Sequence, residues 1–133
     1  VTCVLDASAM MAYLRGENGA PLVQAILLDP NVVCYAHAVN LCEVYYDFLR
    51  SSDEKTARQI IRELKNLDVI ERQDMSGAFW RRVGRLKSRG RISIADCFCL
   101  ALAQVTDSEL VTADRHEFAP LVPLNLCAIT FIR

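Results

Sequence analysis

Short apolar runs alternate along the chain with longer stretches of helical period. Residues 2–5 are apolar and close on Asp6, as a buried strand does. Residues 8–14 look helical and are stopped by Gly16, and 21–28 form a second apolar, helix-like stretch. Asp29-Pro30-Asn31 is a turn signal, after which 32–36 is another strand candidate. Residues 39–49 are apolar on nearly every side, which predicts a deeply packed helix. Ser51-Ser52-Asp53-Glu54 has capping-box spacing and should start a helix reaching about Leu67. Val69 and Ile70 mark a short strand over 68–72. Residues 75–88 are amphipathic, with Phe79, Val83 and Leu86 on one side and Gly90 as a stop. A helix over 94–106, a strand over 109–112 and a last strand over 127–132 complete the pattern.

Strands separated by helices need crossover connections, and crossovers build a parallel sheet covered on both faces, an α/β fold. The 133 residues show no repeat, linker or low-complexity segment, which predicts a single domain over 1–133. Apolar residues make up 53 % and charged residues 23 %, enough core for a fold without disulfide or metal staples.

The net charge of −1 hides a local imbalance. Arg81, Arg82, Arg85, Lys87, Arg89 and Arg91 fall in one stretch with no acidic residue, so a near-neutral average does not exclude a nucleic-acid partner. The bland alternative is a solvated helix face. The six cysteines form no Cys-x-x-Cys pair and sit mostly in apolar runs, as buried thiols do. With no leader pattern and no apolar run of membrane-spanning length, the expected compartment is the cytoplasm.

Four carboxylates fall where a core should be apolar. Asp6 and Asp114 each follow a buried strand, where reactive groups of open α/β sheets gather. Each is also a candidate helix cap. Glu43 lies among Val39, Val44 and Tyr46, a costly place for a carboxylate unless it is paired, protonated or metal-bound. Asp96 stands three residues after Ser93, which reads equally as an N-terminal helix box. Clustered carboxylates repel one another unless a cation neutralises them, and oxygen-only ligands suit Mg²⁺ or Mn²⁺. Zinc is disfavoured, because His37 and His116 are isolated and no Cys/His ligand spacing exists.

The chain resembles the PIN-domain nucleases, and among them the VapC toxins of toxin–antitoxin pairs. The matching residues are Leu5-Asp6-Ala7-Ser8, Glu43-Val44-Tyr45-Tyr46, Ile94-Ala95-Asp96-Cys97 and Thr112-Ala113-Asp114. Each motif is weak alone, and their order over nearly the whole chain makes the match specific. The resemblance implies an α/β/α sandwich with a central parallel sheet and a Mg²⁺- or Mn²⁺-dependent endoribonuclease. It places Asp6, Asp96 and Asp114 around the metal, with Glu43 there directly or through water. It gives Ser8 and Thr112 the role of hydrogen-bonding these carboxylates or the nucleophilic water. It also implies a homodimer and a small inhibitory antitoxin, and no role is carried over to Arg115 or His116.

The reaction expected is hydrolysis of a phosphodiester in single-stranded RNA, with Arg82, Arg85, Lys87 and Arg89 on the RNA backbone. The rival from another class is a PIN-like module that binds RNA or a protein without cutting, and the four filled acidic positions weigh against it. An aspartyl-nucleophile phosphatase would need a second acid at the position of Ser8. DNA remains an alternative substrate, since carboxylates do not recognise the 2′-OH.

Overall fold

Every apolar run read as a strand joins one five-stranded sheet in the computed structural model, which describes residues 1–133. In chain order the elements are β1 (Thr2–Leu5), α1 (Ala7–Leu14), α2 (Ala20–Leu28), β2 (Val33–His37), α3 (Ala38–Ser51), α4 (Glu54–Asn66) and β3 (Val69–Arg72). There follow α5 (Gly77–Ser88), α6 (Ile94–Val105), β4 (Glu109–Thr112), α7 (Arg115–Phe118), a 3-10 turn (Ala119–Leu124) and β5 (Ile129–Phe131). The strand order is β3-β2-β1-β4-β5, and every pairing is parallel.

The period-2 alternation of the strands sorts their side chains onto two cores. Cys3 and Leu5 of β1 and Val111 of β4 point to one face, where they pack with Met10, Val44 and Leu64 from the helices α1, α3 and α4. Val4 and Leu110 point to the other, against Phe79, Val83, Leu100 and Phe118 from α5, α6 and α7. The sheet is therefore covered on both sides, giving the three-layer α/β/α arrangement. Cys3, Cys34, Cys97 and Cys99 are buried thiols within these cores, whereas Cys42 is exposed. No helix is long and apolar enough to cross a membrane.

Local departures from the sequence reading have simple causes. Helix α3 is not packed all round: it buries Asn40, Leu41, Val44 and Phe48, while Tyr46 stays 53 % exposed and Leu49 42 %. One side of the helix rests on its neighbours and the other has no element over it. The expected cap at Ser51 is displaced because α3 continues through that residue. The carboxylate of Asp53 caps α4 instead, accepting the Thr56 N–H at 2.7 Å. The last strand is shorter than 127–132, since only Ile129–Phe131 find partners on β4. Gly16 adopts φ +63°, the left-handed conformation expected just after a helix.

Candidate active site

The chain adds strands to one side of β1 through β2 and β3, then crosses to the other side for β4 and β5. A parallel sheet has a crevice at such a reversal, beyond the carboxyl ends of the two central strands. Asp6 directly follows β1, and Asp114 stands two residues after β4. The topology alone brings both to one place.

Asp6 is 1 % exposed and does two jobs. Its Oδ1 accepts the Ala9 N–H at 2.8 Å and caps α1. Ser8 Oγ lies 2.8 and 2.9 Å from its two oxygens, and Thr112 Oγ1 donates to Oδ2 at 2.5 Å. Ser8 Oγ also accepts the Ala113 N–H at 2.9 Å, and Thr112 Oγ1 accepts that of Asp114 at 3.0 Å. These bonds tie the end of β1 to the loop after β4 and set the start of α7. The Asp114 carboxylate then caps that helix, accepting the Glu117 N–H at 2.9 Å.

Helix α6 begins at the same crevice. Ser93 is its N-cap, its Oγ accepting the Asp96 N–H at 3.1 Å, so Asp96 occupies the first turn. Carboxylate oxygens of Asp96, Asp114 and Glu117 lie within 4.8 Å of one another. Glu117 is the residue that sequence reasoning missed as a site member. The signal is present in the sequence, because Asp114-x-x-Glu117 places two acids on one helix face, a spacing that also fits a helix cap. Glu117 is held in place where its Oε1 accepts the Ser93 N–H at 2.5 Å.

Glu43 and Asp6 stand outside that trio. Glu43 Oε1 accepts a bond from Asn40 Nδ2 at 3.2 Å, and the same amide donates to the Ala95 carbonyl at 3.1 Å. Asn40 therefore bridges α3 to the first turn of α6. It is fully buried, and its Oδ1 has no partner. Nothing in the sequence singled it out, because an asparagine in an apolar helix carries no motif.

The electrostatics are those of uncompensated negative charge. Burial pushes the Asp6 carboxyl up to about 6, against the opposing bonds from Thr112, Ala9 and Ser8. Burial pushes Asp96 up to about 7, with the charges of Asp6, Glu117 and Glu43 adding to it and Ser93 opposing. Glu43 is also raised by burial, which its bond from Asn40 partly offsets. None of Asp6, Glu43, Asp96, Asp114 and Glu117 is ion-paired to a lysine, arginine or histidine, although six ion pairs form elsewhere. An oxygen-only donor set without an internal counter-charge fits a hard divalent cation of the Mg²⁺ or Mn²⁺ type.

The basic stretch divides. Arg82 Nη1 donates to Gln104 at 3.1 Å, about 12 Å along α6 from Asp96 at the rise of an α-helix. Lys87 Nζ donates to the Ile92 carbonyl at 2.6 Å, closing the loop before α6. Both are thus occupied within the chain. Arg85, Arg89 and Arg91 are exposed and make no ion pair. Arg89, Arg91 and Glu117 line one cavity, so this end of α5 adjoins the carboxylates.

No curated protein matches the sequence. Solved structures do share the fold. VapBC2 from Rickettsia felis, bound to a promoter DNA fragment, is 15 % identical with a TM-score of 0.74, and 98 % of each chain is covered. VapBC-1 from nontypeable Haemophilus influenzae is 17 % identical with a TM-score of 0.72, covering 99 % of this chain and 98 % of that one. VapC20 from Mycobacterium tuberculosis, a sarcin-ricin loop cleaving toxin, is 11 % identical with a TM-score of 0.69, covering 89 % and 94 %. At such identities the likeness speaks for the fold. The family model described as "PIN domain" matches residues 3–120, most of the chain, and its expected α/β/α sheet is the one observed. The chain belongs to the PIN domain family.

Proposed function

We propose that this protein is a Mg²⁺- or Mn²⁺-dependent endoribonuclease and the toxin of a toxin–antitoxin pair. The observation that carries the reading is the convergence of Asp96, Asp114 and Glu117 within 4.8 Å, next to buried Asp6, with no cation of the protein's own among them. Asp96 and Asp114 would hold the ion with Glu117, and Asp6 would complete the site from below. A divalent ion so held supplies Lewis acidity at a phosphate.

The chain's own residues do the rest. Ser8 and Thr112 fix the orientation of the Asp6 carboxylate. Glu43, steadied by Asn40, keeps an oxygen free to orient the attacking water and take its proton. Water oxygen bonds to phosphorus, the phosphorus–oxygen bond to the leaving nucleotide breaks, and the leaving oxygen acquires a proton. Arg85 and Arg89 neutralise the RNA backbone beside the crevice. The VapBC assemblies of the same fold support an antitoxin partner, and VapC20, named as cleaving the sarcin-ricin loop, supports RNA as the substrate.

The test is cleavage of single-stranded RNA with Mg²⁺, with Mn²⁺ and with chelator, by the parent and by Asp6→Asn. Cleavage should require an ion and vanish in the variant, which stays folded. The ions should also stabilise the parent by about 1–3 kcal/mol at concentrations well above the dissociation constant, and Asp114→Asn should lose most of that. Cutting by Asp6→Asn at the parent rate, or equal ion shifts in both proteins, would overturn the site.

A further inference from the structure

Beside the carboxylates, the end of α5, the loop before α6, the middle of α6, and α7 with the turn after it enclose a cavity of about 410 Å³. That lies in the range of small-ligand pockets, roughly 300–1,000 Å³. Its walls are of two kinds. Leu86 and Leu100, both buried, and half-buried Leu121 give it an apolar floor. Arg89, Arg91 and His116 stand exposed around it. Glu117 lines the cavity and belongs to the converging carboxylates, so cavity and acidic site share a wall.

Each wall restricts the occupant. The floor calls for a flat or bulky apolar face. The two arginines have no acidic partner in the protein, so they call for a negatively charged neighbour to that face. The shared wall requires that neighbour to reach the carboxylate site. An apolar side chain of a protein satisfies the first condition alone. A nucleotide satisfies all three, since its base has a π-face and its phosphates are anionic.

We propose that this cavity is a nucleobase subsite. Resting on the nuclease reading above, it takes the base of the nucleotide next to the scissile phosphate. The base sits on the leucine floor against His116, and Arg89 and Arg91 hold the flanking phosphates. The cavity would then restrict which nucleotide stands beside the cut, while the carboxylates act on any phosphodiester.

The experiment titrates the full chain, in chelator, with the four ribonucleoside 5′-monophosphates and with ribose 5-phosphate, followed by NMR. At least one nucleotide should bind roughly tenfold or more tightly than ribose 5-phosphate, as stacking of a base implies. Two filling variants should remove that advantage while ribose 5-phosphate binds as before. Leu124→Trp places a large ring at an exposed cavity residue. Gly90→Leu adds a side chain where a Cβ meets nothing within 4 Å and the backbone is not left-handed. Equal binding of nucleotides and ribose 5-phosphate by the parent would overturn the subsite, as would an advantage that survives both fillings. Binding of N-acetyltryptophanamide without any nucleotide preference would also overturn it, in favour of a protein side chain. Cleavage of mixed-sequence RNA by the same preparations separates the two readings. RNA cut without nucleotide preference sinks the subsite alone, and nucleotide preference without RNA cleavage sinks the nuclease alone.

Discussion

Replacing Asp96 by asparagine should make the metal-free protein more stable above neutral pH, although it removes a residue assigned to the metal. The Asp96 carboxyl is pushed from 3.8 to about 7, chiefly by burial and then by the charges of Asp6, Glu117 and Glu43. A folded state that holds the proton more tightly than the unfolded chain is favoured at low pH. Its advantage is complete below about pH 4 and is lost as pH rises to about 7. Above that, the protein folds around an ionised group in a poor place for it. A rise of about three pH units, at about 1.4 kcal/mol each, sets a ceiling of about 4 kcal/mol. Asp96 is only half-buried, and solvent screening lowers the expected effect to roughly 1–2 kcal/mol. Asparagine keeps the shape and the backbone N–H bond to Ser93 but not the charge. Urea denaturation in chelator should show the variant ahead by that amount at pH 8, with most of the difference gone at pH 5. Adding Mn²⁺ at pH 8 should reverse the order, since only the parent keeps the full donor set. A variant no more stable than the parent at pH 8, or equally ahead at both pH values, would refute the argument that uncompensated charge strains this site.

Gly19→Ala should destabilise the fold by roughly 2–4 kcal/mol in thermal or urea denaturation. Gly19 has φ +94°, and a Cβ there would lie 2.7 Å from the Ile132 carbonyl oxygen and Cγ1. Asn40→Ala should cost about 1–3 kcal/mol, because it breaks the bridge to the Ala95 carbonyl and frees Glu43. RNA cleavage should fall with it by more than stability explains, which kinetics at a temperature where both proteins are folded would check. Arg85→Ala and Arg89→Ala, in an Asp6→Asn background, should each weaken RNA binding and lower its log–log salt dependence by about one unit of slope. Arg82→Ala should leave the slope unchanged, as Arg82 is engaged with Gln104.

Much of the architecture follows from patterns that are local in sequence. Alternating apolar runs and helical stretches dictate strands and helices within a few residues of where they form, because each signal depends only on near neighbours. The parallel sheet follows as well, since strands alternating with helices are joined by crossovers, which favour parallel pairing. Asp6, Asp96 and Asp114 were legible because each sits at the end of an apolar run, where its charge stands out. Which carboxylates meet was decided only by tertiary structure. The reversal of strand order at β1 brings residues more than a hundred positions apart into one crevice. There Glu117 joins Asp96 and Asp114, while Ser8 and Thr112 hold Asp6 in place beside them and Asn40 steadies one oxygen of Glu43. The basic stretch shows the same division. Its charge is a property of composition, but only packing against α6 engages Arg82 and Lys87 and leaves Arg85, Arg89 and Arg91 free. Residue type and spacing determine what a segment can do alone, whereas a site assembled from distant segments depends on their relative placement, which no local pattern encodes.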